Sequence, residues 1–104
     1  MLSQELRQEI RKRLETVFEG RLQGVLLYGS KARDEARDES DVDLLVLLDG
    51  PVRLGRDLET IVRALYPLQL EIEDPIHATP VSAEVFAAGE YGLYRSAQRE
   101  GILL

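Results

Sequence analysis

The apolar residues of this chain follow two kinds of pattern, one with the period of a helix and one typical of buried strands. Between residues 3 and 18 they recur every three or four positions, which predicts a helix with Ser3 as its cap. Residues 24–28 and 41–48 are compact apolar runs that indicate strands. The predicted buried face of the helix consists of Leu6, Ile10, Leu14 and Val17.

The strand at residues 41–48 has two different faces at its start and two similar faces afterwards. One face is apolar throughout and begins with Val42. The other face begins with Asp41 and Asp43 and is apolar only after them. A strand that is apolar on both sides is typical of the interior of a sheet. We therefore expect a central strand whose first end, with its two carboxylates, is exposed.

The rest of the chain continues the alternation of helices and strands. A helix that ends at Pro67 is predicted to turn inward Leu58, Ile61, Val62 and Leu65. Helices are expected at residues 31–37, 55–65, 83–87 and 91–99, and strands at 69–73 and 76–81. This order indicates an α/β fold, with a mixed sheet and helices packed on it.

Length and composition restrict the class of protein. The 104 residues are the size of one domain, so residues 1–104 are expected to form a single unit. The chain has no cysteine, which excludes a disulfide scaffold, a thiolate zinc site and a cysteine nucleophile. Its apolar runs are far shorter than the roughly 20 residues of a membrane span, and its N-terminal segment lacks the apolar stretch of a secretory signal. We expect a cytoplasmic protein without a membrane partner.

The balance of acidic and basic residues restricts the classes of partner that the protein can bind. Lysine and arginine number 13 against 19 acidic residues, which gives a formal net charge of −6. Proteins that bind nucleic acids in general have the opposite balance, because they neutralise phosphates. Direct binding of nucleic acid is therefore not expected.

Two aspartates carry the first part of the candidate chemistry. Asp41 and Asp43 are two positions apart on a predicted strand, so their carboxylates project to the same side. Such a pair repels itself unless a positive charge lies between, and a hard cation such as Mg²⁺ meets that need. On its own, an Asp-x-Asp at the start of a strand is more often a solvated edge.

The pair Gly29-Ser30 supplies the second part. It follows a predicted strand and precedes a predicted helix, where glycine allows close backbone approach and the free N–H groups favour a phosphate. Lys31 and Arg33 follow at once, and each suits a polyphosphate contact or a solvated helix surface equally. A lone Gly-Ser is usually only a turn. Together with the paired aspartates, however, it indicates metal-assisted transfer from a nucleoside triphosphate.

At this point the sequence resembles a known family. The stretch from Gly29-Ser30 to Asp41-Val42-Asp43 looks like the signature of the polymerase-β-type nucleotidyltransferases, and most closely that of their minimal, stand-alone members. Residues 81–103 are also similar to the last part of that group. The resemblance thus covers nearly the whole chain.

The resemblance implies a fold, a reaction and a partner. Gly29 and Ser30 match the phosphate-binding pair of the family, and Asp41 and Asp43 match its metal-binding aspartates. The implied reaction is attack on the α-phosphate of a nucleoside triphosphate, with release of pyrophosphate. Minimal members act as antitoxins that adenylylate a tyrosine of a HEPN-domain ribonuclease, with ATP as the donor and Mg²⁺ as the metal.

The sequence departs from the family pattern at two places. Active members usually carry a third acidic residue on a later strand, and here Glu73, or less favourably Glu71, is the candidate general base. His77, the single histidine, is a second candidate for that position, beside its interpretation as a surface imidazole. Asp34 stands where many members have glycine.

Two classes of function follow from these residues. The first is an enzyme that transfers AMP from ATP to a protein hydroxyl. The second is a binding module that keeps the fold and neutralises its partner by covering it, as the unclear third carboxylate suggests. Transfer to a small molecule is a weaker alternative. The sequence leaves the oligomeric state open, including homo- and hetero-oligomers.

Overall fold

Four α-helices, a short 3₁₀ helix at Glu19–Arg21 and four strands make up the fold, in a computed structural model that describes residues 2–29, 31–32 and 41–104. The helices are α1 (Gln4–Phe18), α2 (Leu54–Gln69), α3 (Ala83–Ala88) and α4 (Gly92–Glu100). The strands are β1 (Leu22–Tyr28), β2 (Val42–Leu48), β3 (Ile76–Ser82) and β4 (Ile102–Leu103). Within the described part of the chain, the helices lack the length and hydrophobicity that a membrane crossing needs.

The strands form one mixed sheet, as expected for an α/β fold. Their order is β3–β2–β1–β4, with β2 in the interior as its two apolar faces predicted. β1 pairs antiparallel with β2 and with β4, whereas β2 and β3 are parallel. The parallel pairing brings the first residues of β2 and β3 to the same end of the sheet, where the last residue of β1 also lies.

The two faces of the sheet are covered unequally. One face packs against α1 and α2 and forms the main core, with buried residues that include Ile10, Leu14, Leu44, Val46 and Ile61. The opposite face has a smaller cluster around Leu26, Leu45, Val81 and Ala97, to which α4 contributes. Alternation along β2 puts Asp43 on this second, thinly covered face, because Asp43 has the parity of Leu45.

The first helix forms where its pattern predicts, with one change in its buried face. The Ser3 hydroxyl accepts a hydrogen bond from the Leu6 N–H at 3.1 Å, which caps the helix. Ile10, Leu14 and Phe18 are its buried residues, while Val17 is exposed. The prediction of Val17 as a core residue is therefore wrong, because the buried stripe continues at Phe18, four positions beyond Leu14.

The second helix differs from its prediction in length and in orientation. It runs through Pro67, because proline loses only its own N–H bond and the Leu70 N–H still donates to the Tyr66 carbonyl at 3.1 Å. The predicted strand at residues 69–73 is therefore wrong: Gln69 ends the helix and residues 70–75 form a loop. Leu58 and Val62, predicted to face inward, are 39% and 55% exposed.

The remaining predictions for helices and strands have mixed outcomes. The strand predicted at 76–81 and the short helices at 83–87 and 91–99 are present as β3, α3 and α4. Lys31 and Ala32 form a turn where a helix was predicted at 31–37. The rest of that segment, residues 33–37, lies outside the described residues.

Candidate active site

The two predicted carboxylates lie together at one end of the sheet. Asp41 directly precedes β2, and Asp43 is the second residue of the strand. Asp43 lies opposite Tyr28 on β1 and opposite His77 on β3. Because the three strands meet there on the thinly covered face, the site is open on one side and walled by neighbouring strands.

Gly29 closes the site at the end of β1, and only glycine suits its position. Its φ of +78° lies in the left-handed region, which side chains rarely adopt. A Cβ at this position would also lie 2.7 Å from Oδ2 of Asp43. The backbone at Gly29 is therefore directly against the Asp43 carboxylate, and its role in binding a phosphate stays a prediction. Ser30 and Arg33, predicted to assist Gly29, lie outside the described residues.

The site holds negative charge that the protein does not neutralise fully. Burial raises the pKa of Asp43 above its ordinary value, and the charge of Asp41 raises it further, while His77 acts in the opposite direction. The pKa of Tyr28 is also raised, first by burial and then by the charges of Asp43 and Tyr94. Repulsion between two carboxylates, such as Asp41 and Asp43, is typical of a site that binds a positively charged ligand.

His77, the second candidate beside Glu73 for the third site residue, lies on β3 next to the two aspartates. It lies opposite Asp43 in the register, and its Nε2 is 3.2 Å from Oδ2 of Asp41. β3 itself contains no acidic residue. Glu73 is exposed in the loop before β3, so the alternation that was predicted to aim it at the site does not exist. Its role as general base stays a prediction.

Lys31 is engaged differently from its prediction as a phosphate ligand. Its side chain is buried, at 7% exposure, and its Nζ lies 2.7 Å from Oδ2 of Asp74. Asp74 belongs to the loop between α2 and β3. The ammonium group is thus paired across two loops at the edge of the site, and phosphate binding by Lys31 stays a prediction.

Comparison with known proteins identifies the kind of domain to which this site belongs. Residues 5–97 match the family described as "Nucleotidyltransferase domain", which is most of the chain. The chain belongs to this family. Over 69 residues it is 41% identical to a protein of Methanocaldococcus jannaschii named "Putative protein adenylyltransferase", and the match covers 65% of this chain and 70% of that protein.

A solved structure gives the same result for the fold. A protein of Sulfolobus solfataricus, described as a "putative nucleotidyltransferase", superposes with a TM-score of 0.58 over 95% of this chain and 78% of its own. The two sequences are 18% identical, so the likeness concerns the fold. It confirms the mixed α/β fold that the sequence predicted.

Whether the residues of the nucleotidyltransferase domain fit a metal ion depends on the two aspartates at its open end. Among residues 2–29, 31–32 and 41–104, no three carboxylate, imidazole or thiol groups gather closely enough to hold an ion by themselves. Mg²⁺ commonly takes only one or two carboxylates and completes its shell with water and substrate phosphates. Asp41 and Asp43, with their mutual repulsion and their open side, fit an ion bound in that way.

A group of aromatic side chains that the sequence patterns did not predict lies on the same face of the sheet as Asp43. Tyr94 of α4 packs edge-on against Tyr91, with ring centroids 5.3 Å apart, and its ring is 5.6 Å from that of Phe86. Tyr28 lies next to them, within electrostatic reach of both Tyr94 and Asp43. In the nucleotidyltransferase domain Tyr28, Phe86 and Tyr94 pack against the smaller cluster that covers this face. The position of Tyr28 at the end of β1, directly before Gly29, was the available signal.

Proposed function

We propose that this protein is a Mg²⁺-dependent nucleotidyltransferase that transfers AMP from ATP to a hydroxyl group, preferably of a tyrosine, on a HEPN-domain ribonuclease, and so acts as its antitoxin. The observation that carries the proposal is the placement of Gly29 against Asp43, with Asp41 beside it, at the open end of a nucleotidyltransferase fold. The name of the Methanocaldococcus relative, a protein adenylyltransferase, favours ATP and a protein acceptor.

The reaction is a displacement at phosphorus. The acceptor oxygen forms a bond to the α-phosphorus, the bond from that phosphorus to the oxygen bridging toward the β-phosphorus breaks, and pyrophosphate leaves with the electron pair. A bound Mg²⁺ supplies charge stabilisation for the phosphoryl oxygens. Asp41 and Asp43 would hold it, while the Gly29 backbone and Ser30 hold the β- and γ-phosphates. Glu73 is the proposed acceptor of the hydroxyl proton.

The charge of the chain suits the proposed partner. A ribonuclease needs a positive surface to hold the phosphates of RNA. A domain with a formal net charge of −6 is attracted to such a surface at long range, which favours encounter with the acceptor hydroxyl.

One observation favours a second candidate function, a binding module with weak or no catalysis. β3 carries His77 where a third carboxylate was expected, and the imidazole is paired with Asp41. In that case the protein would neutralise the ribonuclease by covering its positive surface. The two functions differ in what the aspartates must do, and therefore a single set of variants separates them.

The test uses the purified protein, a HEPN-domain ribonuclease of the same organism as the proposed partner, Mg²⁺ and ATP. Intact mass spectrometry of the HEPN-domain protein is expected to show the addition of AMP, and the addition disappears in the double variant Asp41→Asn/Asp43→Asn. Asp49→Asn, at the exposed opposite end of β2, is the matched control and keeps the activity. A stable complex without any added mass contradicts the enzyme and supports the binding module.

A further inference from the structure

The loop between α2 and β3 is held at one end by a single glutamine side chain. Gln69 donates from Nε2 to the carbonyl of Asp74 at 3.0 Å, and its Oε1 accepts a hydrogen bond from the N–H of Ile76 at 2.7 Å. The carbonyl of Pro75, between these two residues, accepts from the N–H of Val42 at 2.8 Å. The last residues of the loop are thus joined both to α2 and to the start of β2.

The same short segment holds the buried lysine of the neighbouring turn. Lys31 follows Gly29 by two positions, and its Nζ lies 2.7 Å from Oδ2 of Asp74. Lysine is rarely buried unless it is paired, because the charge loses its hydration. Asp74 is the partner that permits the burial, since its own side chain is 26% exposed and reaches into the same space.

These contacts connect the two halves of the site. Val42 lies between Asp41 and Asp43 in the sequence, and its N–H donates to the carbonyl of Pro75. Pro75 directly follows Asp74, the partner of Lys31. Lys31 in turn is part of the turn that begins at Gly29, whose carbonyl accepts from the N–H of Ala32 at 3.2 Å. A displacement of Asp74 would therefore move the Gly29 turn and the start of β2 relative to each other.

We propose that Lys31, Asp74 and Gln69 form a clasp that sets the position of the Gly29 turn against the Asp41–Asp43 pair, and that Lys31 is a positioning residue. This inference rests on the proposed function, since positioning matters only if the site transfers a nucleotide. Lys31 is only 7% exposed and its ammonium already binds Asp74, so the side chain is placed to hold the loop and not to extend toward a ligand. The clasp keeps Lys31 in place before and after the nucleotide binds.

A double-mutant cycle distinguishes a clasp from a phosphate ligand. The variants are Lys31→Met, Asp74→Asn and the combination of the two. For a clasp, each single variant lowers kcat about 10- to 100-fold through misplacement of the reacting groups, and the double variant is no worse than either one. The affinity for ATP with Mg²⁺, measured by calorimetry, changes little in all three.

A phosphate ligand gives the opposite result. Lys31→Met then weakens ATP binding strongly, whereas Asp74→Asn frees the ammonium and leaves binding equal or tighter. That outcome overturns the proposal. Partial recovery of kcat by Lys31→Arg, which keeps the charge, is expected for the clasp.

Amide hydrogen exchange provides a measurement that does not depend on activity. Loss of the clasp, by Lys31→Met or by Gln69→Leu, is expected to speed exchange at residues 70–78 and at residues 42 and 43. The matched control is the exposed pair of Arg63 and Glu59 on α2, which is also 2.7 Å apart, and its removal leaves exchange at those residues unchanged. Unchanged exchange in the clasp variants overturns the proposal, whereas faster exchange in a protein that transfers no nucleotide contradicts only the proposed function.

Discussion

An aspartate lies at each end of the sheet, buried at one end and partly buried at the other, and the two ends treat its charge in opposite ways. At the far end, Asp57 of α2 is only 2% exposed and receives both terminal nitrogens of Arg21, at 3.0 and 3.1 Å, together with the N–H of Arg53 at 3.0 Å. These hydrogen bonds, above all those from Arg21, lower the pKa of Asp57. At the site, the pKa of Asp43 is raised, first by partial burial and then by the charge of Asp41, against an opposing effect of His77.

This difference separates a charge that stabilises the fold from one that serves a ligand. A buried carboxylate with a bidentate arginine and a backbone donor is satisfied within the protein. A carboxylate that is partly desolvated beside a like charge is stabilised only when a cation arrives. The protein thus keeps unfavourable electrostatics at the end of the sheet that holds the candidate site, and compensates charge at the other end.

The largest expected effect comes from removing the charge of Asp43. Asp43→Asn is expected to lower the rate of AMP transfer by about 10³-fold or more, since a metal ion contributes several kcal/mol of charge stabilisation. The same variant is expected to unfold at the same or a higher temperature than the wild type, because the folded state no longer holds a repelled carboxylate. Transfer assays and thermal unfolding measure the two effects. If Asp43→Asn unfolded at a lower temperature than the wild type, the claim that Asp43 destabilises the folded state would be contradicted.

The corresponding substitution at the opposite end of the sheet, Asp57→Asn, is expected to have the opposite effects: it lowers stability and leaves the transfer rate unchanged. Asp57→Asn is expected to lower the free energy of unfolding by about 2 kcal/mol, since it removes a charged, buried partner of Arg21 and of the α2 N-terminus. The exposed side of Arg21 keeps the loss from being larger. Transfer activity at temperatures well below unfolding stays close to that of the wild type. Asp49→Asn, on the exposed turn after β2, is the control: its carboxylate acts on Arg21 without a hydrogen bond, so it is expected to change stability far less than Asp57→Asn and to leave transfer unchanged.

The sequence predicted the site end better than the far end, for a local reason. The spacing of Gly29, Asp41 and Asp43 along the sequence was enough to predict that they lie at the ends of two strands. The structure brings them together there. The pair of Arg21 and Asp57 spans 36 positions, and no short pattern indicates it. The pair of Lys31 and Asp74 spans 43 positions, so a solvated or phosphate-bound lysine was the simpler expectation.

The errors in α2 have a different physical origin. Two apolar stripes run side by side along this helix, and periodicity alone cannot tell which one faces the sheet. The buried stripe includes Ile61, Leu65 and Leu68, whereas Leu58 and Val62 belong to the exposed one. The alternation at residues 69–73 was equally misleading, because the bonds of Gln69 to Asp74 and Ile76 fold that segment into a loop.

The turns after β1 and β2 allow a similar comparison, because each contains a glycine with the same positive φ angle. Gly29 and Gly50 both have a φ of +78°, but a Cβ on Gly29 meets Asp43 whereas a Cβ on Gly50 meets nothing within 4 Å. Either substitution by alanine is expected to cost about 1–2 kcal/mol of stability through backbone strain. Only Gly29→Ala is expected to lower transfer as well, by about 10- to 100-fold, because the Asp43 carboxylate must move.

Chemical denaturation and transfer assays on both variants test this expectation. Equal losses of activity in Gly29→Ala and Gly50→Ala would mean that backbone strain alone, and not the contact with Asp43, explains the choice of glycine. A loss confined to Gly29→Ala would assign it to the carboxylate.

The smallest expected effect is the dependence of stability on pH, and its sign differs between the two ends. Asp57 has a folded pKa below its ordinary value of 3.8, so its contribution is present above that value and is lost as the pH falls through the folded pKa. Asp43 has a folded pKa above 3.8, so it weakens the fold at neutral pH and ceases to do so as the pH falls through that higher folded pKa.

Unfolding free energies of the wild type, Asp43→Asn and Asp57→Asn, measured from pH 7 to pH 2.5 without divalent metal, resolve these two contributions. At neutral pH the wild type is expected to lie below Asp43→Asn and above Asp57→Asn in stability. On acidification the gap to Asp43→Asn closes first, while the gap to Asp57→Asn persists until the pH falls below about 3.8. Added Mg²⁺ is expected to reduce or reverse the gap to Asp43→Asn at neutral pH, because the ion relieves the repulsion, and to leave the gap to Asp57→Asn unchanged. If both gaps close over the same range of pH, the two aspartates are in equivalent environments and the distinction between the ends of the sheet does not hold.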